Sequence, residues 1–159
     1  MGSILANNEP LRQAARATAR CDWGIDMKDG PTTLLPHLAR AKAVATATRL
    51  RVAWHLQIGR QDDAREDLLA AFALARNVSS DGTLIGLLVQ IASEAINCST
   101  LAANFGRFTP ETLAQLAAGL DAMPPRRTLA ECMITEKVFF LKWTERKILD
   151  LQKQNPGED

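Results

Sequence analysis

Between Leu34 and Arg76 the apolar positions fall into two runs with helical spacing. Leu35, Leu38, Ala41, Ala45, Val52 and Leu56 recur at close to three-or-four intervals, which gives a helix one greasy stripe. Ala64, Leu68, Leu69, Ala71, Phe72 and Ala75 repeat the pattern beyond Gly59. The stretch therefore predicts two long helices folded back on each other around Gly59. Pro36 suits a first helical turn, where its missing N–H would be unpaired anyway. Gly59 supplies the permissive backbone of a helix stop, and Asp62 and Asp63 complement the dipole of the next helix.

The rest of the chain reads as more helix laid against this hairpin. Residues 8–21 predict a short alanine-rich helix signalled by Asn8 and Pro10. In DWGIDMKDGPTT, Trp23, Ile25 and Met27 alternate as in an extended connector. VSSDG forms the loop leaving the hairpin. Thr83 to about Ala103 is apolar nearly all round, so a central, buried helix is expected there. Its polar members Gln90, Glu94 and Asn97 share one face with Ser93 beside them, and a carboxylate in so apolar a helix must be paired or face a polar cavity. Thr109-Pro110-Glu111 opens another helix, which closes at MPP. Thr128 with Glu131 is a capping-box signature for a last helix reaching about Gln154. Residues 1–7, opening Met-Gly-Ser, are expected to be a tag or unstructured start, 8–154 one helical domain, and 155–159 a frayed tail.

Gly59, Ala64, Leu68 and Ala71 resemble the second half of a tetratricopeptide repeat, in which a glycine ends the first helix and small or bulky apolar residues follow at set offsets. The first half differs: Trp54 is out of register, His55 takes the usual tyrosine position, and Arg76 and Asn77 stand where a proline closes the unit. The resemblance implies an all-α fold of about six helices, stacked as antiparallel hairpins in a TPR-like right-handed array. CDWGIDMKDGPTTLLPHLARAKAVA, GTLIGLLVQIASEAI and TPETLAQLAAGLDAMPP followed by TLAECMITEK resemble a family of uncharacterised bacterial helical proteins. Members usually carry a membrane anchor or signal ahead of this region, which implies a place in the cell envelope.

Composition narrows the function classes. With 159 residues and 47% hydrophobic content, the chain can bury a full core as one domain. No unbroken apolar run long enough to span a bilayer is evident in it. A net charge of +1, from 19 basic and 18 acidic residues, draws it to neither nucleic acid nor an anionic membrane. The locally basic stretch Arg40, Lys42, Arg49, Arg51 and Arg60 lacks aromatics placed to stack bases. Cys21, Cys98 and Cys132 are too widely spaced for a metal site or a disulfide framework, with Cys98–Cys132 the most plausible bridge in an oxidising compartment.

The candidate site is a groove. His37, Arg40, Thr48, Arg51 and His55 form a polar stripe on the first hairpin helix, and in stacked hairpins the first helices line the concave surface. Gln90, Glu94 and Asn97 would complete a surface suited to a protein or peptide segment. The plainer reading makes these solvated faces plus one internal ion pair, Glu94 with an arginine such as Arg51. His37 and His55 are separated by roughly 27 Å of helix rise and cannot share a metal ion. HExxH, phosphate-loop and nucleophile-elbow motifs are not found, so no catalytic residue, metal or cofactor is assigned. The expectation is a non-catalytic interaction domain. The alternatives are a hydrolase or metal enzyme centred on Glu94, with Glu131 and Glu136 as further carboxylates, and a self-association domain working through Val138, Phe139, Phe140, Leu141 and Trp143 of the last helix.

Overall fold

The structure is a computed structural model and describes residues 23–154. Among these the regular elements are all helical: α1 (Pro36–Gln57), α2 (Gln61–Val78), α3 (Leu84–Asn104), α4 (Pro110–Asp121) and α5 (Leu129–Gln154), with single 3₁₀ turns at Gly30–Thr32 and Phe105–Arg107. The fold is thus all-α, with five α-helices among the described residues. The helix expected at 8–21 and the frayed tail at 155–159 lie outside them.

The α1–α2 hairpin forms as its pattern dictates. Pro36 opens α1, and Gly59, at φ 76°, closes it. Gly59 N–H bonds the Leu56 carbonyl at 3.3 Å and Arg60 N–H reaches back to His55 at 2.8 Å, a Schellman closure that requires a left-handed residue at Gly59. Alanines 41, 45, 64, 71 and 75 are all buried, so the backbones approach closely, while Val52, Leu56, Leu68 and Phe72 fill the space between them. Leu116 and Phe108 complete this core from α4 and the segment before it. A second, smaller cluster of Leu38, Ala41 and Val78 is covered by Trp23, whose indole N–H donates to the Asn77 carbonyl at 2.9 Å.

Thr83 caps α3, accepting from Gly86 N–H at 3.0 Å, and Thr109 caps α4 in the same way. The capping box of α5 is closed: Thr128 Oγ1 accepts from Glu131 N–H at 3.2 Å, and Glu131 accepts from Thr128 N–H at 2.7 Å. Glu136, which reads in sequence as a surface charge beside Lys137, instead reaches across to α3. Its Oε1 accepts the Leu84 N–H at 2.9 Å, a carboxylate at the positive end of that helix.

Two expectations are corrected. α3 is not buried all round, since Ile85, Leu88 and Ile91 are about half exposed. Its buried residues are Gly86, Leu87 and the polar set Gln90, Ser93, Glu94, Asn97 and Thr100. Leu84–Arg107 is also long and apolar enough, by length and composition, to cross a membrane. Counting unbroken apolar runs conceals this, because the few polar residues are gathered on the inward face. Cys98 and Cys132 are free thiols rather than a bridge: the first is exposed on α3, the second buried beneath α5.

The Trp143 indole lies on Gly30, at φ 63°, and a β-carbon built there would collide with the ring. Gly24, at φ 62°, has open space around it. Gly24→Ala should therefore cost about 1 kcal/mol, the backbone penalty alone. Gly30→Ala should cost clearly more, because it also displaces Trp143; urea denaturation midpoints of the two variants measure the difference.

Candidate functional site

The polar stripe of α1 faces inward. Arg51 is buried, and its Nε and Nη2 donate to Asp67 Oδ2 and Oδ1 of α2 at 2.9 and 3.1 Å, a two-pronged pair across the centre of the hairpin. His55 Nε2 stands 3.4 Å from the same carboxylate. Thr48 turns its hydroxyl back onto the Val44 carbonyl at 2.9 Å. His37, in the first turn of α1, stacks on Trp23 with ring centroids 4.9 Å apart and lies 3.8 Å from Asp81. Of the expected stripe only Arg40 is exposed. His37, Thr48, Arg51 and His55 therefore line no open groove.

A second polar centre gathers on the inner face of α3. Gln90 accepts a hydrogen bond from Ser79 Oγ and donates to Glu94 Oε1 at 3.4 Å. Glu94 lies 3.1 Å from Arg126 Nε and 3.8 Å from Arg76 Nε. The ion pair expected for Glu94 thus exists with different arginines, because Arg51 is committed to Asp67. Asn97 is 1% exposed, and its Nδ2, like Ser93 Oγ, has no hydrogen-bond partner among the described residues. The eight candidate residues accordingly divide into a hairpin set, an α3 set and the exposed Arg40, and do not converge on one surface.

Beside the α3 centre a cleft of about 280 Å³ opens between the last turn of α2 and the connector into α5, lined in part by Arg76, Asn77, Ser80, Arg126, Arg127 and Thr128. Its arginines already hold the connector in place. Arg76 donates to the Pro124 carbonyl at 2.7 Å and Arg127 to the Ser80 carbonyl at 3.1 Å, while Arg126 meets Glu94. Among the described residues no three His, Cys, Asp or Glu side chains stand close enough together to hold a metal ion.

Asp67, Asp81, Arg76 and Arg126 escape the sequence reading. Asp67 alone has a visible signal: it is a charge set within the apolar stripe Ala64, Leu68, Ala71, where only a paired residue is tolerated. Burial pushes both imidazoles below the ordinary histidine value, with Asp81 beside His37 and Asp67 beside His55 pulling the other way and losing. Burial likewise pushes the Cys132 thiol upward.

No protein family, curated protein or solved structure matches the chain.

Removing one member of the buried pair should be severe. Asp67→Asn is expected to cost about 3–5 kcal/mol by leaving a buried guanidinium uncompensated, and the paired replacement Arg51→Met with Asp67→Leu should recover most of that. Chemical denaturation of the three variants compares them. Because the folded imidazoles bind protons less readily than the unfolded chain, their contribution is full above the ordinary histidine value of 6.5 and falls as the pH drops below it. The urea midpoint should therefore decrease between about pH 7.5 and 5.5, with a shallower slope in His37→Gln and His55→Gln.

Proposed function

We propose that this chain is a non-catalytic helical interaction domain that docks a protein or peptide segment on the outer face of α3. The observation carrying the reading is the inversion of that helix. Its polar residues are turned into the protein, where Arg76 and Arg126 neutralise Glu94. Ile85, Leu88 and Ile91 are turned out, 47%, 61% and 54% exposed, with Ala95 and Cys98 continuing the same strip. An apolar strip at helical spacing, with no charge along it, fits the apolar face of an amphipathic partner helix.

The paired and buried state of Arg51, His55 and Glu94 supports a structural role for the residues that otherwise suggest chemistry. The close antiparallel packing of α1 and α2, with α3 against both, supports the kinship with stacked helical hairpins of the tetratricopeptide kind.

Affinity capture from the native cell with the full-length gene product tests the reading. A protein enriched by the parent should be lost with Leu88→Glu and retained with Arg40→Glu, both variants melting at the parent temperature because both sites are exposed. Equal capture by Leu88→Glu would refute docking on α3.

A further inference from the structure

α5 carries two apolar stripes on opposite sides, and only one of them is used. The inner side is fixed by four contacts or burials at helical spacing. Cys132 is fully buried, Thr135 packs on Gly82, Glu136 caps α3, and Trp143 covers Gly30. Half a turn of the helix away, Ile134, Val138, Leu141 and Ile148 are 65%, 46%, 54% and 49% exposed. A helix resting on a protein by one face is ordinarily polar on the other. A second stripe of branched side chains running four turns is the pattern of a helix that packs on both sides.

We infer that the outer face of α5 pairs with the same face of a second copy of this chain, antiparallel and centred on Leu141. The charge pattern selects this partner and this direction. A two-fold axis at Leu141 sets Ile134 of one copy against Ile148 of the other and Leu141 against itself. The same axis sets Lys137 of each copy against Glu145 of the other, flanking the apolar line twice over with opposite charges. A parallel pairing would instead place Lys137 level with Lys137 and Glu145 level with Glu145, which is repulsive at both positions. Each body lies on the inner side of its own α5, so the two bodies sit outside the helix pair. The residues of α5 beyond Thr144 are exposed along their whole length and leave the partner room.

Sedimentation velocity on the full chain over a wide concentration range tests the inference. The mass should rise from the 17.4 kDa of one chain to twice that, and Leu141→Glu should hold it at one chain while its thermal melt stays that of the isolated fold. Lys137→Glu should raise the dissociation constant about 10-fold, and adding Glu145→Lys should restore it. That loss and rescue is specific to the antiparallel arrangement, because a parallel pair would carry like charges in every one of these variants. A single chain at all concentrations would overturn the inference, whether the stripe is then covered by another segment of the chain or by a different protein. Association that survives Leu141→Glu but is lost in Leu88→Glu would also overturn it, by moving the contact to α3.

Discussion

The two-pronged bond between Arg51 and Asp67 fixes how the two hairpin helices meet, and the remaining elements are laid on that pair. Both groups are almost wholly buried, so neither can be satisfied by water, and sliding one helix along the other would strand a charge in an apolar space. Alanine spacing lets the backbones approach, but alanines slide past each other easily. The charge pair, with His55 drawn to the same carboxylate, supplies the register that small apolar residues alone leave loose. A polar contact of this kind contributes little net stability against an apolar replacement and much against displacement.

The same rule governs α3. Glu94 is tolerated inside because Arg76 and Arg126 approach it from α2 and from the connector into α5, so that one carboxylate ties together segments far apart in sequence. Once that face points inward, the geometry of a single helix sends Ile85, Leu88 and Ile91 outward. The exposed apolar strip is thus a consequence of where the charges are neutralised, and its presence on the surface follows from the interior.

Much of the architecture was legible from the residues. The hairpin could be read because each helix carries its own stripe and Gly59 stands between them, and the capping signals of Thr109 and Thr128 are local in the same sense. The shared face of Gln90, Glu94 and Asn97 was also legible, since it depends only on helical spacing. Its direction was not. Whether a polar face turns in or out depends on partners such as Arg76 and Arg126, which the chain brings close only after folding. The α1 stripe was misjudged for a related reason: Arg51 and His55 read as solvated until Asp67, one helix away, is placed opposite them. Glu136 shows the limit of local reading again, because its use as a cap for α3 requires knowing that α5 crosses the start of that helix.

The two thiols of the described chain mark out the docking of α5. Cys98 sits on the open face of α3, whereas Cys132 is sealed where α5 meets the body, its proton held more tightly by that burial. An alkylating reagent would therefore consume Cys98 at a rate set by chemistry and Cys132 at a rate set by how often α5 lifts away. The chain contains its own clock for that motion, with the reference hand on one helix and the gated hand on the other.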